Sequence, residues 1–389
     1  MILVIGGGLA GLSAALSVQE SGQQVHLIEA TEQVGGRVTS ERIDGFTLDR
    51  GFQVINPGYR EFERLNLRTL INPIPAGAAA MVNGQWRFFG DPRREMRTLG
   101  AALPIMVREV GSFAALIQAA LLKKVSPGES SAEFLTRVGI KGQVYSSLVE
   151  PFLRGVFLED LAAVDGRFAQ RVLRSLYRRV PGLPDGGVLS VALELRNRLK
   201  SFQSGSRVHE ISRAGKGFTV KTDIGTLSAR KVIVATDYDA ARIFSSHLPD
   251  VKQTTSFAWH FTIDAPLARQ HQLHVSTRSA GPVVTAIDVA ASVPSYSPDG
   301  RGLLSVTTLL PTTESEVRRH LTEIYGEPLS GELITQWEIK NALPLLQPGD
   351  TRTGFLDDDG LIFAGDYLSE PSQNGALLSG RLAGERAIL

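Results

Sequence analysis

Residues 2–12 read Ile-Leu-Val-Ile-Gly-Gly-Gly-Leu-Ala-Gly-Leu, and residues 24–29 read Gln-Val-His-Leu-Ile-Glu. The apolar run at residues 2–5 is typical of a parallel strand that is buried on both faces. Residues 9–18 are small or apolar and have helical spacing, whereas residues 24–29 have the composition of a second strand. We therefore expect the chain to begin with a strand, a glycine-rich turn, a helix and a second strand.

The turn has the spacing Gly-x-Gly-x-x-Gly at Gly6, Gly8 and Gly11. Gly6 can form the tight turn, Gly8 lets a pyrophosphate approach the backbone, and Gly11 lets the helix pack closely on the strand. Because the helix begins at Leu9 and Ala10, its first N–H groups would face the phosphates. Glycine turns also occur for structural reasons alone, but the position of this one between a strand and a helix favours a dinucleotide site.

Glu29 ends the second strand, eighteen residues after Gly11. At about this distance from the glycine turn, a carboxylate accepts a hydrogen bond from a ribose hydroxyl of the adenosine. We expect Ala30, the next residue, to contact the cofactor as well. The same carboxylate would repel a 2′-phosphate. The sequence therefore indicates FAD or NAD and disfavours NADP.

The composition limits the class of protein and its partners. At 389 residues the chain is longer than one ordinary domain, so we expect two cores. A net charge of +1 gives no reason to expect nucleic acid as a partner. There is no cysteine, which excludes disulfides, thiolate metal sites and a flavin attached through cysteine. The seven histidines have no ligand spacing, so no metal site is predicted.

Two features bear on location. The first strand begins at Ile2, which leaves no room for a signal peptide, so we expect a cytoplasmic protein. The most apolar stretch, residues 99–122, contains a proline and two charged residues and therefore does not resemble a spanning helix of about 20 apolar residues. Its second half precedes Lys123 and Lys124; a core helix is the favoured interpretation, and peripheral contact with a membrane stays open.

Glu29 is followed by Gly-Gly-Arg at residues 35–37, and the next strand ends in Asp-Arg-Gly at residues 49–51. This order resembles the FAD-binding opening of the amine oxidase, protoporphyrinogen oxidase and phytoene desaturase flavoproteins. The resemblance implies that one loop passes beside the diphosphate and ribityl chain of FAD, namely Gly35, Gly36, Arg37 and Val38. It also implies that a second segment approaches the flavin from the substrate side, namely Gly51, Phe52 and Gln53.

Two later segments agree with the same family in order and spacing. The family counterpart of Val208 touches the adenine, and the turn after the strand at residues 231–236 closes over the adenosine with Ala235 and Thr236. Near the end of the chain, Gly365 and Asp366 match the residues that bind the ribityl or diphosphate group. The helix that follows would direct its N-terminus at the pyrimidine edge of the isoalloxazine, through Gln373, Asn374, Gly375 and Ala376. This last motif is most similar to plant- and cyanobacterial-type phytoene desaturase.

The resemblance implies an α/β fold with a Rossmann-like FAD-binding domain of the glutathione-reductase type and an interleaved α+β substrate domain of mixed sheet and helices. We assign residues 1–56, 190–250 and 345–389 to the FAD-binding domain. Residues 57–189 and 251–344 are assigned to the substrate domain.

The expected function is that of an FAD-dependent oxidoreductase with non-covalent FAD, in which the flavin accepts hydride from a bulky, largely apolar substrate by desaturation. An amine or porphyrinogen oxidase that forms peroxide is the first alternative, and a redox-neutral isomerase or a non-catalytic flavin-binding protein is the second. No aromatic residue precedes the last helix where the family's amine oxidases carry one, which disfavours a small-amine oxidase. Lys340 and Tyr367 are candidate catalytic residues, although strand alternation could also direct Lys340 to solvent.

Overall fold

The structure is a computed structural model that describes residues 1–82, 84–90, 109–265, 267 and 271–389. The sequence of residues 91–180 predicts helices, and the part of this prediction that covers residues 91–108, with the first part of the apolar stretch 99–122, lies outside the described residues. None of the helices in the described ranges is long and apolar enough to cross a membrane.

The described residues form twenty short strands. In chain order they are β1 (Ile2–Ile5), β2 (Val25–Ile28), β3 (Ser40–Ile43), β4 (Phe46–Asp49), β5 (Ile71–Pro73), β6 (Gly77–Val82), β7 (Gln85–Gly90), β8 (Gly182–Pro184), β9 (Phe202–Gln203), β10 (Val208–Ala214), β11 (Gly217–Thr222), β12 (Gly225–Ala229), β13 (Lys231–Val234), β14 (Ser256–Ile263), β15 (His274–Val275), β16 (Val283–Asp288), β17 (Gly302–Thr308), β18 (Leu333–Ile339), β19 (Phe355–Asp358) and β20 (Leu361–Ala364).

Helices connect and cover these strands. They are α1 (Leu9–Glu20), α2 (Arg60–Arg64), α3 (Val110–Leu121), α4 (Ser131–Arg137), α5 (Glu150–Phe157), α6 (Gly166–Arg178), α7 (Leu189–Asn197), α8 (Tyr238–Phe244), α9 (Val289–Ser292), α10 (Glu314–Tyr325) and α11 (Gln373–Ile388).

The first sheet has the strand order β19-β20-β13-β1-β2-β9. Its strands pair in parallel, except that β19 runs antiparallel to β20. All four residues of β1 are buried, as expected for a strand covered on both faces. Three separate parts of the chain therefore build one Rossmann-like sheet, and the turns after β1, β2 and β13 meet at one edge.

The second sheet has the strand order β18-β14-β17-β16-β15-β6-β7 and is mixed, because β15 and β6 run parallel whereas the other neighbours are antiparallel. Trp259 and Phe261 of β14 pack in one core with Leu321 of α10. Alternation along the strand directs Ala258 to the opposite face, where it borders a cavity. A helical core that includes residues of α3, α4, α5 and α6 lies beside this sheet.

The two ends of the chain meet where α1 packs on α11. The Ser13 hydroxyl donates to the carbonyl of Leu377 at 2.8 Å. A side chain at Gly380 would place its Cβ 1.9 Å from the carbonyl oxygen of Ala10. The helices can therefore approach this closely only because position 380 carries no Cβ.

The predicted fold class is confirmed, whereas some predicted bounds are shifted. Residues 186–200 have the pattern of an amphipathic helix, but α7 begins only at Leu189, because Gly186 and Gly187 have φ values of 72° and 90°, which are not helical. Residues 272–276 have the composition of a strand, but only the two residues of β15 form one. The division into two domains by residue number stays a prediction.

Gly380→Ala should destabilise the protein by about 1 to 3 kcal/mol, because the added methyl group overlaps a backbone atom that cannot move aside without shifting α1. Thermal or urea unfolding measures the effect. Gly111→Ala is the matched control, since it is also a helical glycine and its Cβ would meet no described atom within 4 Å. An equal, unchanged stability in both variants would contradict close packing at Gly380.

Candidate active site

A cavity of about 860 Å³ lies between the two sheets, within the size range of sites for small molecules and cofactors. One end lies at the carboxyl ends of β1, β2 and β13, which is where open α/β sheets bind ligands. The other end lies between α5, α6 and the second sheet. All the residues predicted to bind the cofactor line this cavity except Gly11, Asn374 and Gly375.

The geometry of the glycine-rich turn explains why Gly8 lines the cavity and Gly11 does not. Gly6 has a φ of 104°, and a Cβ there would lie 2.6 Å from the carbonyl oxygen of Ala235. A Cβ at Gly11 would lie 1.8 Å from the carbonyl oxygen of Gly6, so Gly11 serves the contact of helix with strand. At Gly8 a Cβ would meet none of the described atoms within 4 Å, and this backbone is open to the cavity.

The Glu29 carboxylate is held beside that turn. One of its oxygens accepts the N–H of Gly7 at 2.6 Å, and the other accepts the N–H and the hydroxyl of Thr31, each at 2.8 Å. A carboxylate has about four acceptor positions, so a fourth donor can still bind. The buried hydroxyl of Ser206 also lines the cavity and has no hydrogen-bond partner among the described residues. This end of the cavity therefore offers an acceptor and a free hydroxyl to a sugar.

Arg37 and Asp366 form an ion pair across the middle of the cavity wall. The Arg37 guanidinium lies 2.5 Å from a carboxylate oxygen of Asp366, and it also donates to the carbonyl of Ala342 at 3.0 Å. Desolvation works against the charge, but the neighbouring Asp366 carboxylate holds the pKa of Arg37 above its usual value. Arg352 in turn donates to the carbonyl of Asp366 at 3.2 Å, which fixes the turn that carries the carboxylate.

Asp49 does not line the cavity but holds a loop that does, and its role is not evident from the sequence. Its carboxylate accepts hydrogen bonds from the Ser40 hydroxyl at 2.6 Å, the Val188 N–H at 3.0 Å and the Tyr296 hydroxyl at 2.8 Å. Burial raises the pKa of Asp49 to about 6. The carboxylate thus joins its own hairpin to two distant segments just before Gly51, at the start of the loop that lines the cavity. The Asp-Arg-Gly motif was the available signal, but its partners were not visible because they lie 139 and 247 residues away.

The start of α11 forms the wall opposite that loop. Ser372, Gln373 and Ala376 line the cavity, and the side-chain oxygen of Gln373 is buried with no hydrogen-bond partner in the described part of the chain. Asn374 instead accepts the N–H of Glu61 at 3.2 Å. A Cβ at Gly375 would lie 2.0 Å from the carbonyl oxygen of Glu370. The small size of Gly375 therefore serves packing against Glu370, and this placement does not support the predicted contact of Asn374 or Gly375 with the cofactor.

The two candidate catalytic residues do not line the cavity. Lys340 is exposed, and the preceding Ile339 borders the cavity instead. Tyr367 is buried in the core, packs edge-on against Tyr238 and donates its hydroxyl to the carbonyl of Ala364 at 3.2 Å. Burial raises the pKa of Tyr367 well above its usual range. Neither side chain is placed for contact with a substrate in this cavity.

The far end of the cavity is apolar. Its wall is formed by side chains from α5, α6, β14 and the intervening loops, among them Phe152, Val156, Phe168, Val172, Phe257 and Leu273. The polar members, such as Ser175 and Thr285, are uncharged. Seven of the described residues that line the cavity are charged. Glu29, Arg37, Arg207, Asp237 and Asp366 lie in segments that follow strands of the first sheet, which we call the nucleotide end of the cavity. Glu41 on β3 and Arg50 pair with each other at 2.6 Å beside the loop at Gly51. The cavity thus divides into a polar half and an apolar half.

Comparisons with known proteins agree with this geometry. The family model for flavin-containing amine oxidoreductases matches residues 9–388. The structure is similar to an oxidoreductase from Methanosarcina mazei, with a TM-score of 0.75, 16% identity and 99% of each chain covered. It is also similar to a CLA-producing fatty acid isomerase from P. acnes, with a TM-score of 0.74, 14% identity, and 100% and 98% of the two chains covered.

Sequence similarity to a curated protein is confined to a short segment. The chain is 44% identical over 64 residues to 4,4'-diaponeurosporene oxygenase of Staphylococcus aureus. This match covers 16% of the chain and 13% of that protein. It therefore supports a shared segment and not a shared activity.

The groups present in the cavity suit the flavin that the family model names. The open backbone at Gly8, the acceptor capacity of Glu29 and the unpartnered hydroxyl of Ser206 lie at the nucleotide end, and Gln373 lies at the start of α11. FAD is therefore the cofactor that fits, and the absence of cysteine excludes a thioether link to it.

Glu29→Ala should weaken FAD binding roughly tenfold to hundredfold, because it removes a charge-assisted hydrogen bond worth about 1.5 to 3 kcal/mol. Titration of the apoprotein with FAD, followed by fluorescence, measures the affinity. Glu210→Ala is the control, since Glu210 pairs with Lys221 on an exposed hairpin away from the cavity. Equal FAD affinity for Glu29→Ala and the parent would show that Glu29 does not hold the ribose.

Proposed function

We propose that this chain, which belongs to the family of flavin-containing amine oxidoreductases and is an FAD-dependent oxidoreductase, withdraws hydride from a bulky, largely apolar substrate. Desaturation is the leading reaction. The observation that carries the proposal is the apolar half of the cavity, whose described lining residues bear no charge. An ammonium or carboxylate group would lose its hydration there without gaining a partner, whereas a hydrocarbon would be stabilised.

The roles of the chain's own residues follow from their places in the cavity. FAD, when bound, supplies the two-electron chemistry. The predicted nucleotide contacts hold it, with Glu29 at the ribose and Arg37 compensating negative charge in the middle. The apolar half binds and orients the substrate and excludes water. The proposal assigns residues 1–56, 190–250 and 345–389 to cofactor binding and residues 57–189 and 251–344 to substrate binding, which is consistent with the separate strands of the two sheets.

Two other functions are kept as alternatives. The first is an amine or porphyrinogen oxidase; the family name favours an amine substrate, but the uncharged wall of the apolar half does not. A redox-neutral isomerase is favoured by the similar fold of the P. acnes fatty acid isomerase, whose overall identity is only 14%. Both alternatives would use the same cofactor site, so the reaction itself has to separate them.

Anaerobic mixing of the FAD-loaded protein with a substrate panel tests the proposal. A long polyene should bleach the flavin absorbance, whereas a short alkylamine should not, because only the former fits an uncharged wall. Val172→Phe, which fills the apolar half, should slow bleaching by about tenfold or more, equivalent to about 1.4 kcal/mol, with FAD content unchanged. Leu193→Phe is the control, since Leu193 is exposed on α7 and does not line the cavity.

The outcomes separate the candidate functions. Bleaching by amines or porphyrinogens, with peroxide formed on admission of air, would favour the oxidase. Conversion of an unsaturated fatty acid without net bleaching would favour the isomerase. Equal rates for Val172→Phe and the parent would show that the apolar half does not hold the substrate.

Peripheral contact with a membrane is a second part of the proposal, whereas the cytoplasmic location stays a prediction. The outer face of α3 exposes Val110 and Ile117, and Leu122 just beyond it is 74% exposed. Lys123 and Lys124 follow directly and are also exposed. An apolar face with adjacent positive charge is suited to an anionic lipid surface. Helix α3 also packs against α6, and other residues of α6 line the apolar half of the cavity.

The double variant Ile117→Glu/Leu122→Glu should abolish co-sedimentation with vesicles of phosphatidylcholine and phosphatidylserine, because it places charge in the contact face. Ile224→Glu/Leu310→Glu is the matched control, since these two residues are comparably exposed elsewhere. Failure of the parent to sediment with the vesicles, or equal binding by both double variants, would contradict a contact through α3.

A further inference from the structure

An ion pair that the family resemblance does not assign joins the two walls of the cavity. Arg171 lies on α6, and its guanidinium donates to one carboxylate oxygen of Glu370 at 2.7 Å. Only 9% of the Glu370 side chain is exposed, whereas 52% of Arg171 is exposed. Phe168 and Val172 on the same helix border the apolar half of the cavity. The pair therefore links the substrate wall to the segment that leads into α11.

Glu370 also organises the first turn of α11. Its second oxygen accepts the Ser372 hydroxyl at 2.8 Å and the Asn374 side-chain amide at 3.0 Å. The Ser372 hydroxyl in turn accepts the N–H of Gly375 at 3.0 Å and so caps the helix. Ser372 itself lines the cavity. The Glu370 carboxylate is thus held directly before Pro371 and Ser372 of the cavity wall, at the positive end of the α11 helix dipole.

Tyr59 is a cavity-lining residue close to this carboxylate. Burial, followed by the nearby Glu370 carboxylate, raises the pKa of its hydroxyl, which is consistent with an electrostatic effect of Glu370 at this wall. Charges within a poorly hydrated wall interact over several ångströms more strongly than charges in water. The electrostatic potential at the start of α11 therefore depends on both the negative charge of Glu370 and the positive charge of Arg171. This potential acts on any group that gains electrons there.

We propose that Arg171 and Glu370 are positioning residues that set the electrostatic potential at the start of α11 and thereby the midpoint potential of bound FAD. Arg171 compensates the Glu370 carboxylate, so that the helix dipole can favour negative charge on the cofactor. Glu370 keeps the helix cap in place. This inference rests on the proposed function, because it requires FAD to lie against this wall.

An electrostatic role and a purely structural role of the pair predict different effects for the single variants. Arg171→Gln leaves the buried carboxylate uncompensated and should shift the flavin midpoint potential to more negative values. Glu370→Gln leaves an uncompensated arginine and should shift the potential to more positive values, while its amide oxygen can still accept from Ser372 and Asn374. The double variant should return close to the parent. A purely structural role would instead move both single variants in the same direction.

Spectroelectrochemical titration of the parent, both single variants and the double variant, all at the same pH, tests the inference. Lys221→Gln is the control, since it removes one positive charge from an exposed pair on the β10–β11 hairpin and should leave the potential unchanged. Opposite shifts for Arg171→Gln and Glu370→Gln, with near-cancellation in the double variant, are the expected result.

Three results would overturn the inference. Shifts of the same sign in both single variants would show that the pair acts only through structure. Unchanged potentials in variants that retain FAD would show that the pair does not affect the cofactor, and the proposed function would still stand. If the parent protein binds no FAD, both the proposed function and this inference are wrong.

Discussion

The contact between α1 and α11 is the constraint on which the rest of the structure depends. Backbone meets backbone there, since a single Cβ at Gly380 would overlap the carbonyl of Ala10. The contact brings the glycine-rich turn at the start of the chain and the helix start at Gln373 to the same cavity. It also explains why a sheet assembled from three separate segments presents one continuous wall. Without this close approach, the first and last motifs of the sequence would not face the same ligand.

The charges around the cavity are arranged in pairs or held by several hydrogen bonds. Arg37 is neutralised by Asp366, and Glu370 is neutralised by Arg171. Among the described residues Asp49 forms no ion pair and instead accepts three hydrogen bonds, and its burial raises the pKa to about 6. Buried charges that lack such partners are costly, so these contacts stabilise the walls of the cavity. The polar half can therefore hold a charged dinucleotide while the apolar half stays free of charge.

Local sequence patterns predicted most of the cofactor half of the cavity. Strand β1, the glycine turn and Glu29 all lie within the first 29 residues, and Glu29 accepts the N–H of Gly7 across 22 residues, so this arrangement is encoded in one short stretch of sequence. The role of Asp49 could not be predicted, because Val188 and Tyr296 reach it only through the tertiary fold. Gly375 shows the same limit, since the sequence predicts that it contacts the isoalloxazine whereas its position packs against the carbonyl of Glu370. Strand alternation left open whether Lys340 faces the flavin or solvent, and the structure places it in solvent.

A crystal structure of the FAD-loaded protein tests the central claim most directly, which is that one cavity holds the cofactor and an apolar substrate end to end. The account predicts adenosine beside Glu29 and Val208, the diphosphate at Gly8, and the isoalloxazine between Phe52 and the start of α11. The space between α5 and α6 should stay open for the substrate. An isoalloxazine that fills this apolar space, or an adenosine bound away from Glu29, would contradict the account.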